Sequence, residues 1–278
     1  MIVVVRLIGG LGNQLFQYAA GKSLSHTLGV PLKIDKNDFK RYKLRKYGLL
    51  HFNVTSVEAS KRELNLFPQR ASASRKRKLF SKFFSRGYPT FSQRNLNFDP
   101  SLFENKAPIY LDGYWQSEKY FKENEDVVRN NLDIDEDTKY YISNKYPFVD
   151  NEQVASVHIR RTDYVSSNGY HPVQPISYYE EALGHIDCER IVVFSDDIGW
   201  CKENLQFNNM TFSEDNTNIQ DLYLMSMCQN NVIANSSFSW WAAWLNKNTD
   251  KRVVAPSKWF GPGAPSSQDI IPEDWITI

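Results

Sequence analysis

Three short apolar runs in the second half of the chain break off into polar groups with no turn residue between. Val154 to Ile159 leads through His158 into Arg160, Arg161 and Asp163; 190–194 leads into Ser195, Asp196 and Asp197; 231–234 leads into Asn235, Ser236, Ser237, Phe238 and Ser239. Each run is rich in β-branched residues and too short for a helix, so each reads as a strand. Helical patterns at Ile176 to Leu183 and over 221–227 separate them, and another begins at Trp240. Strand alternating with helix is the rhythm of a parallel sheet. In such a sheet the three polar ends converge on one edge, which is where open α/β sheets build ligand sites.

The same rhythm opens the chain. Met1-Ile2-Val3-Val4-Val5 reads as a strand running into Gly9-Gly10-Leu11-Gly12-Asn13-Gln14, and Leu15, Phe16, Ala19, Ala20 and Leu24 repeat at helical spacing. Glycines let a ligand approach the backbone, and the helix start offers free N–H groups and the positive end of a dipole. The third glycine of G-x-G-x-x-G is lacking, so a plain tight turn is an equal alternative; Asn13 and Gln14 tilt the reading toward a polar ligand. Gly29-Val30-Pro31 ends the helix and 32–35 is a second strand. Over 109–112 a further strand leads into the aromatic and polar turn Gly113-Tyr114-Trp115-Gln116, with a helix expected over 117–131. Asp133, Asp135 and Asp137 alternate as in a metal-binding D-x-D run, but Asp135 is better placed as the N-cap of a helix from Glu136 to Lys145. With 147–152 as the link, the expected domains are 1–150 and 151–278, both Rossmann-like and the fold class α/β.

Composition narrows the function classes. Lys+Arg 33 against Asp+Glu 32 leaves a net charge of +1, so nothing pulls the whole surface toward nucleic acid. A basic concentration, Arg75-Lys76-Arg77-Lys78 among Leu79, Phe80, Phe83 and Phe84, reads as a basic helix with an apolar face. It suits a solvated helix packed on its Phe side or a surface for anionic lipid; no nucleic-acid module accompanies it, and no nucleic-acid partner is expected. Cys188, Cys201 and Cys228 are odd in number and lack nearby histidines, which implies neither disulfides nor zinc and points to a reducing compartment. The first apolar stretch lacks a preceding basic region and meets Arg6, unlike a signal peptide. No run approaches the ~18 apolar residues of a membrane span. The expectation is a cytoplasmic protein, with peripheral contact at the inner membrane face through Arg75, Lys76, Arg77 and Lys78 as the open alternative.

Two guanidiniums at a strand end suit a phosphate, because each presents a rigid fork to oxygen pairs. Side chains alternate along a strand, so His158 and Arg160 share a face and Arg161 takes the other. Arg160 is therefore expected to bind phosphate directly, with Arg161 in support and paired to Asp163. Ser236, Ser237 and Phe238 at a helix start suit phosphate oxygens. Asp196 or Asp197 can accept from a ribose hydroxyl or from guanine. The competing reading makes Asp196 and Ser236 helix caps, which leaves the arginines unexplained.

Taken in order, these blocks resemble a known family. His158-Ile159-Arg160-Arg161-Thr162-Asp163-Tyr164 is similar to the H-x-R-R-x-D-Y signature of the bacterial galactoside α-1,2-fucosyltransferases of glycosyltransferase family 11. Gly9 to Tyr18 resembles that family's opening segment. Phe194-Ser195-Asp196-Asp197, Asn235 to Trp241, and Pro256 with Lys258-Trp259-Phe260 match later blocks, and only 42–93 holds none. The resemblance implies a GT-B-like fold, two Rossmann-type domains facing a cleft, the first on the acceptor side and the second binding GDP-fucose. It implies transfer of L-fucose from GDP-β-L-fucose to the 2-hydroxyl of a galactose-terminated acceptor, with inversion and no required metal or other cofactor. Carried over residue by residue, Arg160 binds the β-phosphate, and Ser236, Ser237 and Phe238 hold the pyrophosphate. His158 and Asp196 or Asp197 lie near the nucleotide and Asn13 reaches toward the sugar-phosphate, with Gly10, Gly12, Gln14, Arg161, Ser195 and Asn235 as further candidate substrate-binding residues. Asp163 stands as a candidate base, an ion-pair role being its alternative. A transferase of another nucleotide sugar and a non-catalytic nucleotide-sugar binder are the rival readings.

Overall fold

The computed structural model describes residues 1–40, 45–70, 87–166, 169–264 and 266–278. The basic run Arg75, Lys76, Arg77 and Lys78 lies outside them. The chain forms two compact units, Met1–Asp133 with Gln268–Ile270, and Ile134–Ser267 with Ile271–Ile278.

The first unit holds a parallel sheet of β1 (Val3–Arg6), β2 (Leu32–Asp35), β3 (Val57–Glu58), β4 (Thr90–Ser92) and β5 (Ile109–Asp112), in the order β3-β2-β1-β5-β4. Val3, Val4 and Val5 are wholly buried, as the near-continuous apolar reading of a central parallel strand requires. Helix Leu11–Thr27 packs closely on this sheet at Gly21, where a Cβ would stand 3.0 Å from both Leu32 and Val5. The helix expected over 117–131 is instead two 3₁₀ turns, Glu118–Tyr120 and Lys122–Asn124, followed by helix Glu125–Asn131.

The second unit holds β6 (Val154–Ile159), β7 (Arg190–Ser195), β8 (Met210–Phe212), β9 (Asn230–Val232), β10 (Val253–Ala255) and β11 (Ile276–Thr277). All pair in parallel, in the order β11-β10-β9-β6-β7-β8. Order therefore reverses beside β6, between β7 and β9, which is the topological switch point of a doubly wound sheet. Ala155, Val157 and Ile159 face one apolar cluster with Tyr178, Tyr179 and Val193. On the opposite side of the strand, Ser156 accepts from Asn231 at 2.7 Å, and Asn231 in turn accepts from Asn246 at 2.8 Å. These bonds satisfy buried polar groups that would otherwise be costly.

The division falls at Asp133, not between 150 and 151. Helix Glu136–Lys145 packs on helix Asn218–Met227, and Lys145 donates to the Glu214 carbonyl and to Asn216, each at 2.8 Å. That helix thus belongs to the second unit. Asp135 caps it, accepting from the Thr138 amide at 2.8 Å. Among the described residues, no helix is long and apolar enough to cross a membrane, and no group of three or more His, Cys, Asp or Glu could hold a metal ion.

Candidate active site

At the end of β6 the strand stops at Ile159 and the chain turns into the single-turn helix Thr162–Val165. Strand alternation ends there, and positions three apart now share a face. Arg160 consequently pairs with Asp163 at 2.7 Å and with Asp196 at 3.0 Å. Arg161 pairs with Asp197 at 3.2 Å, and its guanidinium carbon lies 3.6 Å from the centre of the Trp200 ring. The expected Arg161–Asp163 pair is thereby corrected: Asp163 sits opposite Arg160, and the second arginine is flattened against an aromatic face, a geometry only a planar cation offers.

Asp196 organises this corner. It accepts from Arg160, from the Arg161 amide at 2.9 Å and from the Thr162 hydroxyl. Both its oxygens are engaged within the turn, where recognition of ribose or guanine had been one expectation. Asp197, not Asp196, caps helix Ile198–Asn204 through the Trp200 amide at 3.3 Å, and Ser195 accepts from the Asp197 amide at 3.0 Å. The register of β6 on β7, with Ile159 opposite Ser195, brings these groups together.

The β9 end joins them. Tyr164 donates its hydroxyl to the Asn235 carbonyl at 2.9 Å. Asn235 donates to the carbonyls of Pro172 and Trp259 at 3.1 and 2.9 Å, while its buried Oδ1 has no hydrogen-bond partner among the described residues. Ser236 caps helix Ser237–Leu245 by accepting from the Phe238 amide at 3.3 Å, as the capping reading expects. The start of that helix, at Ser237 and Phe238, places a positive dipole end at the switch point. His158 lies behind it, 5% exposed, with its ring centre 5.8 Å from that of Phe238. Burial, and after it the Arg160 charge, pull its pKa down to about 3, against a smaller opposing effect of Asp196. The imidazole is neutral, and its Nδ1 has no hydrogen-bond partner among the described residues.

In the first unit, Gly9 adopts φ +80°, and Gly10 caps helix Leu11–Thr27 without any side-chain bond. The order of this sheet reverses beside β1, so the glycine turn also stands at a switch point. Asn13 accepts from Gln116 at 2.8 Å. Gly12 and Gln14 are buried. The Gln14 amide donates to the carbonyls of Gly9 and Lys46 at 3.0 and 2.9 Å and accepts from the Gly48 amide at 2.9 Å, so it braces the turn. The predicted residues thus form two groups, His158 to Asp163 with 195–197 and 235–238 in one unit, and Gly10 to Gln14 in the other. Sequence reasoning missed Trp200 and Gln116 as partners. The turn holding Gln116 had been visible as aromatic and polar, but nothing local tied it to Asn13.

The chain as a whole is similar to known proteins. The sequence model of Glycosyl transferase family 11 matches residues 2–278. The chain is 36% identical to an alpha-1,2-colitosyltransferase of Escherichia coli, covering 100% of this chain and 99% of that protein. It is 30% identical to the O-antigen biosynthesis glycosyltransferase WbnK of Escherichia coli, covering 98% and 99%. Among solved structures it is similar to the alpha-1,6-fucosyltransferase NodZ soaked with GDP-fucose, with TM-score 0.56, 16% identity and 95% and 97% of the two chains covered; NodZ comes from Bradyrhizobium. That likeness shows the fold, α/β with two parallel sheets and GT-B-like. Matched along its length by the family's pattern and by two glycosyltransferases, the chain belongs to glycosyl transferase family 11.

Proposed function

We propose that this enzyme moves L-fucose from GDP-β-L-fucose to the 2-hydroxyl of a terminal galactoside, inverting the anomeric centre and requiring no metal. The observation that carries the reading is Arg160, held by two carboxylates at the end of β6, where the second sheet reverses its order. Cleavage of the C1–O bond leaves an extra negative charge on GDP while the sugar becomes oxocarbenium-like. Arg160 and the positive dipole end of helix Ser237–Leu245 meet that charge and supply electrostatic stabilisation of the kind a metal ion otherwise gives. The two carboxylates leave further N–H groups of the guanidinium, which has five, for phosphate oxygens. The second unit takes the nucleotide, with His158 and the Asp196 corner shaping its floor. The first unit serves the acceptor, and Asn13 addresses the sugar-phosphate. Asp163, 2.7 Å from Arg160, acts as its ion-pair partner and not as a base.

A second donor has a specific observation behind it, the 36% identity to a colitosyltransferase. Colitose is L-fucose without its 3-hydroxyl, so the pyrophosphate chemistry is common to both and only sugar contacts differ. Purified protein given GDP-L-fucose or GDP-colitose with a panel of terminal galactosides decides between them. The expected result is GDP release and a 2-linked fucoside, undiminished by excess EDTA. Turnover of GDP-colitose alone, a different linkage, or loss on chelation restored by Mn²⁺ would each overturn the corresponding part. Contact of Arg75, Lys76, Arg77 and Lys78 with anionic lipid belongs to the same proposal, and vesicle binding with all four neutralised tests it.

A further inference from the structure

The turn after β5 has a backbone that needs explaining. Trp115 adopts φ +57° while wholly buried. A bulky residue in that region costs about 1–3 kcal/mol and persists only where its surroundings over-determine it. They do so here. Gln93 Oε1 accepts from the amides of both Tyr114 and Trp115, at 2.9 and 3.0 Å. The Trp115 ring stacks on Phe91 at 6.0 Å and meets Tyr120 edge-on at 5.3 Å. Gly113 lies so close to Gln93 that a Cβ would stand 2.6 Å from the Gln93 Cβ. The product of this construction is the placement of the next residue: Gln116 is 8% exposed, and its amide donates to Asn13 Oδ1 at 2.8 Å.

We infer that Gln116 is a positioning residue that sets which way the Asn13 amide faces. The two ends of an asparagine amide are nearly equal in size and opposite in hydrogen-bonding sense. A donor fixed on Oδ1 commits the oxygen to Gln116 and leaves the NH₂ group on the side of the glycine turn. There a Cβ on Gly9 would stand 2.8 Å from Asn13 Nδ2, so the turn is shaped around that nitrogen. An NH₂ group at this corner stabilises negative charge developing on a sugar-phosphate oxygen, whereas a carbonyl oxygen would repel it. The strained turn at Trp115 is the mount for this orientation. The inference rests on the reading that Asn13 serves the donor.

The test uses the whole enzyme with whichever GDP-sugar the wild type turns over, GDP-L-fucose or GDP-colitose, and measures kcat, donor KM and Tm. Gln116→Met keeps the shape and removes the donor. It should lower kcat about 10-fold, in the range found when a supporting hydrogen bond is removed, with donor KM changed less. Gln116→Glu can only accept, draws the Asn13 NH₂ to itself and turns the oxygen outward. It should lower kcat about 100-fold, as for loss of a transition-state donor. Introduced into Asn13→Ala, Gln116→Met should have no further effect on kcat. Wild-type kcat in either single variant, an equal loss from Gln116→Met in both backgrounds, or a fall in Tm with kcat per folded enzyme unchanged would overturn the inference. A fully active Asn13→Ala would instead remove the reading of Asn13 beneath it.

Discussion

The two units solve one structural problem in different materials. In each, a central parallel strand at the order reversal runs into a turn and then a helix. After β1 the turn is Gly9-Gly10, and the cation at the strand's end, Arg6, is paired with Asp38 and Asp112, each at 2.9 Å. After β6 the turn is Arg160-Arg161, with the cations on the turn itself. A glycine corner offers N–H donors and room; an arginine corner offers fixed charge as well. On the proposed function, large changes in charge belong to the β6 corner, while the β1 corner orients groups that are neutral or already shielded.

The largest effect should come from removing the charge that distinguishes them. Arg160→Ala is expected to lower kcat/KM by about 10²–10³-fold, and Arg160→Lys to restore little, because an ammonium lacks the planar fork. Arg161→Ala, which strips a cation from Trp200, should show more of its loss in Tm. A fully active, stable Arg160→Ala beside a dead but stable Arg161→Ala would reverse the roles given to the pair. Next, Asp196→Asn weakens the carboxylate that holds Arg160, the Arg161 amide and Thr162 together. A fall in kcat/KM of about 10–100-fold is expected, typical of a group supporting a direct ligand; wild-type kinetics would show that the corner holds itself.

The glycine corner should respond more mildly and by another route. Gly9→Ala places a Cβ at φ +80° and 2.8 Å from Asn13 Nδ2, costing about 1–2 kcal/mol in a melt and shifting Asn13. Gly10 has open space where its Cβ would stand. Gly10→Ala should change stability by less than about 0.5 kcal/mol, and a large loss would mean the turn is strained where it looks relaxed. The last test concerns pH. His158 binds its proton near pH 3 in the folded protein but near the ordinary 6.5 when unfolded. Its contribution is present above pH 6.5 and is lost as pH falls from there toward 3, by up to about 1.4 kcal/mol per unit. Urea melts at pH 7, 6 and 5 should show that slope reduced in His158→Leu; identical slopes would place the titrating group elsewhere.

Much of this was legible because long apolar strands and caps are local signals. β1, β6 and β7 announce themselves by β-branched runs, and Asp135 and Ser236 by their places before helical patterns. The two- and three-residue strands β3, β8 and β11 are too short to show a period, and only their neighbours define them. The arginines pair otherwise than alternation predicts because the strand stops at Ile159 and a helical turn follows at Thr162–Val165. Gln116 and Asn13 lie 103 residues apart, so their bond is a property of the assembled sheet and leaves no trace in either neighbourhood.

The return of Gln268–Ile270 to the first unit has a consequence for how the protein is made. Asp269 accepts from the Phe98 amide at 2.9 Å and from Lys119 at 2.8 Å, a partner 150 residues earlier. Domains tend to fold as they leave the ribosome, N-terminal first. Here the leading half emerges with that amide and that ammonium still waiting for their carboxylate, which arrives only after the trailing half has been translated. Its final tightening therefore waits on the trailing half, and nascent chains stalled before Asp269 should be more readily cleaved by protease near Phe98 than the released protein.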